Sequence, residues 1–148
     1  MTQPLLIERT CAAPVDLVWR ALTDPQAMKQ WFFDLPDFKA QAGYEFRFWG
    51  GKDEAHQYLH ICVVTEVIEA KKLTYSWRYD GYDGISYVTF ELFPEGAHLT
   101  RLKFTHAGLE TFPSDNADFA KENFVEGWMD ITRMLKETAE ALQEQKAA

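Results

Sequence analysis

The chain has 148 residues, 26% of them charged, with 15 Lys and Arg against 23 Asp and Glu for a formal net charge of −8. That length suits one domain able to bury its own core, and the acidic balance argues against duplex nucleic acid, whose proteins carry a basic face. Phe, Tyr and Trp make up 15% of the residues, so the interior is either ring packed on ring or a hole lined by rings.

The N-terminus lacks a basic n-region, and its apolar run Leu5-Leu6-Ile7 is too short for a signal peptide. No stretch reaches the roughly 20 apolar residues of a membrane helix, so membrane insertion is not expected. Cys11 and Cys62 lie in apolar surroundings without C-x-x-C spacing. They read as buried free thiols, and a cytoplasmic location is the expectation.

Leu5 to Thr10 reads as a short first strand. Pro14 opens a helix, where its missing N–H costs nothing, and Val15, Val18, Trp19 and Leu22 share one face. Asp24 is the N-cap and Pro25 the first residue of a second short helix reaching about Trp31. From Phe38 to His106 the period becomes two. Tyr44, Phe46 and Phe48 alternate with charges, as do Leu73, Tyr75, Trp77 and Tyr79 with Thr74, Ser76 and Arg78. Val88, Phe90, Leu92 and then Leu102, Phe104, His106 repeat the pattern. Turns at Asp80-Gly81-Tyr82-Asp83-Gly84 and Pro94-Glu95-Gly96 join the runs into an antiparallel meander with one polar and one aromatic face. The cover for the aromatic face is one long helix from Asn116 to about Gln145, where Phe124, Trp128, Ile131, Leu135, Ala139 and Leu142 recur at spacings of three and four. Gly127 is the helix breaker within it. It costs about 1 kcal/mol relative to alanine and signals close packing or room beside Trp128.

Several short motifs follow one another along nearly the whole chain. They are Ala13-Pro14, Val18-Trp19, Leu22-Thr23-Asp24-Pro25, Trp31-Phe32, Glu66-Val67, Leu73-Thr74-Tyr75-Ser76-Trp77, Val88-Thr89-Phe90-Glu91-Leu92, Thr105-His106-Ala107-Gly108-Leu109 and Gly127-Trp128. In this order they resemble the START-like (SRPBCC) superfamily, and within it the bacterial relatives of the C-terminal domain of the heat-shock-protein-90 ATPase activator. Two loop segments depart from that pattern: Ala42-Gly43, where the family has two glycines, and Glu69-Ala70-Lys71-Lys72, where it has prolines and an arginine. The resemblance implies an α+β helix-grip fold, a curved antiparallel sheet with two short helices near the N-terminus, wrapped around the long C-terminal helix with a cavity between. It also implies lipid-, aromatic- or polyketide-like ligands in that cavity, cyclisation in a few members and chaperone partnership in others. The fold alone selects none of these.

The chemistry-bearing side chains each carry two readings. His56 and His60 have a helical metal-ligand spacing, but on a strand four residues span about 13 Å, so no metal is expected. His106 shares parity with Leu102 and Phe104; it is a polar anchor or general base, or else a buried histidine held by a hydroxyl or carbonyl. Trp77, Tyr79 and Trp128 converge as a pocket wall with N–H and O–H handles, or simply fill space. Trp31 sits near the cavity entrance or caps the sheet edge. Glu66 is a buried acid–base carboxylate or a surface charge. Asp80 to Glu91 has a calcium loop's length but not its ligands. No G-x-S-x-G elbow, phosphate loop or dinucleotide fingerprint occurs.

The leading expectation is therefore a binder of a small apolar molecule, without cofactor, whose wall is Trp31, Phe46, Phe48, Trp77, Tyr79, Phe90, Phe104, His106, Phe124 and Trp128. The alternatives are a cyclase, dehydratase or hydrolase using His106 as base, and a co-chaperone-like interaction module. Either a monomer or a homodimer fits the sequence.

Overall fold

Alternating apolar and polar residues build one six-stranded sheet in the computed structural model, which describes residues 3–147. Strands β1 (Leu5–Cys11), β2 (Glu45–Gly51), β3 (Gln57–Ile68), β4 (Lys72–Tyr79), β5 (Ser86–Gly96) and β6 (Leu99–Ala107) lie in the order β1-β6-β5-β4-β3-β2. Every neighbouring pair is antiparallel. The meander from β2 to β6 follows chain order, and β1 adds itself beside β6. Helices α1 (Val15–Thr23) and α2 (Pro25–Met28) fill the first connection, and α3 (Lys121–Ala147) covers the aromatic face, packed on β1 and α1. This is the helix-grip arrangement.

Register brings the inward residues into rows. Leu73, Phe90, Phe104 and Ile7 lie opposite one another across β4, β5, β6 and β1, and all four are buried. On α3 the matching stripe is Phe124, Trp128, Thr132, Leu135 and Ala139, each buried. Cys11 and Cys62 are free thiols inside the same cluster. The β3 ladder slips between Val64 and Glu66, which leaves Glu66 exposed with Lys72 Nζ 3.0 Å from its Oε1. Glu66 is thus a surface charge.

Three element limits differ from the periodicity, each for a local reason. Strand β2 starts at Glu45; residues 38–44 form a loop, although Phe38 turns in edge-on to Phe46 at 5.3 Å. Asp24 does cap α2, its Oδ1 accepting from Gln26 N, but that helix ends at Met28. The chain then turns so that Trp31 Nε1 donates to the Ala21 carbonyl of α1 at 2.7 Å. Last, α3 begins at Lys121. Asn116 Oδ1 accepts from Asp118 N and caps a separate 3-10 turn, Ala117–Phe119, after which Ala120 is extended. That break directs Phe119 inward onto the ring of Tyr79, at 4.9 Å.

The turn from β3 to β4 places Ala70 at φ 63°, the left-handed region in which a Cβ is strained. It lies in the segment where the chain departs from the family pattern. Replacing Ala70 with glycine relieves the strain against a smaller entropic loss, so Ala70→Gly should raise stability by up to about 1 kcal/mol in urea unfolding. A lower stability would contradict this backbone conformation.

Candidate functional site

The inward face of β4 carries Trp77 and Tyr79, with Trp77 opposite Ser86 on β5 and Val88 opposite His106 on β6. Helix α3 sets Trp128 onto this corner. Its Nε1–H donates to His106 Nδ1 at 3.0 Å. With Nδ1 accepting, the proton of the neutral imidazole sits on Nε2 and donates to Ser86 Oγ at 2.7 Å; the Ser86 hydroxyl in turn donates to the Trp77 carbonyl at 2.9 Å. Each polar group in this relay is spent. His106 is fully buried, and desolvation lowers its pKa to about 3. Of the two readings of His106, the geometry matches the buried histidine held by a hydroxyl, with no lone pair left to take a substrate proton.

The rings around the relay close on one another. Phe104 and Trp128 have centroids 4.3 Å apart, and Trp77 and Trp128 5.3 Å. Phe90 meets Phe104 at 5.2 Å, Phe46 meets Tyr75 at 5.1 Å, and Phe48 meets Phe33 at 4.0 Å and His60 at 4.5 Å. Trp31, expected near the entrance or on the sheet edge, is core: buried, stacked on Phe32 at 5.0 Å and edge-on to Phe90 at 6.0 Å. Of the ten residues read from the sequence as a wall, Trp31, Phe46, Phe48, Phe90, Phe104 and His106 pack behind the surface. Trp77, Tyr79, Phe124 and Trp128 reach a cleft.

That cleft, of about 210 Å³, opens between α3 and the Gly50–Gly51 end of β2. Phe33 and Ile131 form its sides, His60, Trp77 and Tyr79 its sheet wall, and Phe124, Gly127 and Trp128 its helix wall. A second lobe of about 110 Å³ shares Gly50, Gly51, His60, Tyr79, Asn123 and Phe124 and extends to Tyr58, Asp118 and Phe119. Two glycines make the space. A Cβ on Gly50 would sit 3.2 Å from His60 Cε1 and 3.3 Å from the Phe33 ring, whereas a Cβ on Gly127 would meet nothing within 4 Å. A larger groove of about 680 Å³ runs outside, between α1–α2 and the C-terminal half of α3, rimmed by Arg20, Asp24, Arg133 and Glu137. It is a surface trough in which those charged side chains stand beside an apolar floor of Ala27, Met134, Ala141 and Leu142.

The cleft's polar groups are few. His60 Nδ1 lies 3.0 Å from the Tyr58 carbonyl, and burial lowers its pKa to about 4, partly offset by the Tyr58 and Phe48 carbonyls. Tyr79 Oη accepts from Trp77 Nε1 at 2.8 Å, and burial raises the phenol's pKa. At the mouth, Tyr58 Oη donates to Asp118 Oδ2 at 2.5 Å while Lys52 Nζ lies 3.1 Å from Oδ1, and these two partners hold the carboxyl below its ordinary range. The metal spacing of His56 and His60 dissolves: His56 Nδ1 contacts Asp53 Oδ1 at 2.6 Å in the β2–β3 loop, away from the inward His60. Phe33, Gly50, His60 and Ile131 escaped the sequence reading as cleft residues. For His60 the signal was present: it shares strand parity with buried Cys62 and Val64.

Two histidines buried neutral link stability to pH. Their folded pKa values lie below the ordinary 6.5, so the unfolded chain takes up protons first as pH falls. Stability that is complete above about pH 6.5 should be lost by about 1.4 kcal/mol per pH unit for each histidine, down to about pH 4 for His60 and about pH 3 for His106. Urea unfolding between pH 7.5 and 4 measures the slope, and His106→Asn should reduce it by one proton's worth. An unchanged slope would contradict a neutral His106.

The sequence model of the family described as "Activator of Hsp90 ATPase homolog 1-like protein" matches residues 12–140. No curated protein matches the chain. Among solved structures, protein MLL2253 from Mesorhizobium loti is 25% identical, with a TM-score of 0.73 over 92% of this chain and 96% of that one. Protein CV1439 from Chromobacterium violaceum is 22% identical, with a TM-score of 0.75 over 95% of this chain and 99% of its own, and shares the fold. DynU16, a protein of the dynemicin biosynthetic locus, has the fold too, at 24% identity and a TM-score of 0.72, over 93% of this chain and 47% of that one. Among the described residues no helix is long and apolar enough to cross a membrane. With the family model spanning most of its length and the helix-grip sheet around α3, the chain belongs to the Activator of Hsp90 ATPase homolog 1-like family of the START-like (SRPBCC) superfamily.

Proposed function

We propose that the protein binds a small, largely apolar molecule in the cleft between β2–β4 and α3. One observation carries this reading. Gly127 is exposed at the mouth of the cleft, beside the buried stripe of α3 and one turn from Phe124 and from Ile131, and a side chain there would meet no neighbour. A helix gains about 1 kcal/mol from alanine over glycine, so a glycine in open space on a lining face keeps that space open. A dry apolar cavity of about 150 Å³ accepts benzene, and a cleft of about 210 Å³ with an adjoining lobe suits a one- or two-ring ligand. Flat rings from Trp77, Phe124 and Trp128 supply its apolar contact. Catalysis through His106 finds no support in this geometry, since both ring nitrogens are engaged.

Two substitutions at one position separate packing from binding. Gly127→Ala should stabilise the fold by about 0.5–1 kcal/mol. Gly127→Phe should fill the cleft and abolish ligand uptake, read by native mass spectrometry and tryptophan fluorescence against a lipid and metabolite extract, while the fold's melting transition persists. Uptake by Gly127→Phe equal to wild type would place the ligand elsewhere.

A further inference from the structure

Beyond an apolar wall, two side chains lining the cleft, Tyr79 and His60, each keep one hydrogen-bonding position without a partner among the described residues. Tyr79 Oη is fixed by the Trp77 indole N–H at 2.8 Å, and its own hydrogen has no acceptor among the described residues. On β3, directly opposite, His60 lies with its ring centroid 4.7 Å from that of Tyr79. Its Nδ1–H is committed to the Tyr58 carbonyl, which leaves Nε2 as a lone-pair acceptor. No hydrogen bond joins Tyr79 to His60. A donor and an acceptor thus stand side by side on one wall of a cleft otherwise lined by Phe33, Trp77, Phe124 and Trp128.

A single hydroxyl satisfies both groups, because it accepts through oxygen and donates through hydrogen. We propose that the cleft selects neutral aromatic alcohols, the hydroxyl accepting from Tyr79 O–H and donating to His60 Nε2 while the ring lies along Trp77, Phe124 and Trp128. The selection rests on the cleft being the binding site, as argued above. Neutrality follows from the lining: neither lobe includes a lysine or arginine, and Asp118 stands in the second. The discrimination is steep because a ligand without the hydroxyl buries both protein groups unpaired, a larger penalty than a lost methylene.

Three probes of nearly equal size test this: 2-naphthol, 2-methoxynaphthalene, which only accepts, and naphthalene, which does neither. Each is titrated into the ¹⁵N-labelled protein, with the indole N–H peaks of Trp77 and Trp128 as reporters. The wild type should bind 2-naphthol at least about tenfold tighter than the other two. In Tyr79→Phe and in His60→Phe the advantage should fall below about threefold while naphthalene still binds. Equal affinity of the wild type for all three probes would overturn the selection and leave the cleft as the apolar site. Failure of all three to shift either indole peak would overturn both.

Discussion

Helix α3 is held on the sheet by a line of hydrogen bonds with a direction: Trp128 N–H to His106, His106 N–H to Ser86, Ser86 O–H to the Trp77 carbonyl. Every polar atom in it is buried, so a break anywhere would leave a group unpaired in a dry interior. The relay therefore determines two things. The imidazole is confined to one tautomer and to the neutral state, and Trp128 is confined to one position against Phe104.

Fixing Trp128 decides where the fold can be hollow. On its Phe104 side, aromatic residues of β4, β5 and β6 fill the space between sheet and helix. Towards the β2–β3 hairpin, a gap beside Gly127 is bounded by Phe33, His60 and Tyr79. The hairpin's tip is drawn back to the chain before α3 through Lys52, Tyr58 and Asp118. Gly51 allows that tip to be tight, because a Cβ there would fall 1.6 Å from the His56 carbonyl oxygen. The choice posed by the aromatic composition, packed core or lined hole, is resolved regionally: most rings pack on rings, and a few line a cleft at one end.

The sheet and its inward face were legible because period-two alternation in Leu73–Tyr79, Val88–Leu92 and Leu102–His106 leaves little freedom of register once one face is buried. What escaped was set by contacts distant in sequence. Trp31 reads as an edge residue until the chain's turn after Met28 brings its indole to the Ala21 carbonyl. Asn116 reads as helix until its side chain caps a separate 3-10 turn. Phe33, inside a loop without periodicity, carried no signal for the cleft at all. Gly127 did, since a glycine inside a helix is costly unless something uses its absence of a side chain. His106 was correctly placed inside, but parity reveals only where a residue points. Its partners, Ser86 and Trp128, are 20 and 22 residues away along the chain.

The state of His106 tests this account most directly. Long-range ¹H–¹⁵N NMR of the imidazole nitrogens distinguishes the Nε2–H tautomer, the Nδ1–H tautomer and the imidazolium. The relay predicts a neutral His106 with its proton on Nε2, unchanged from pH 7.5 to pH 4.5 while the protein stays folded. An Nδ1–H tautomer, or protonation in the folded state near pH 6, would mean that Trp128 does not donate to this ring and that α3 is held by something else.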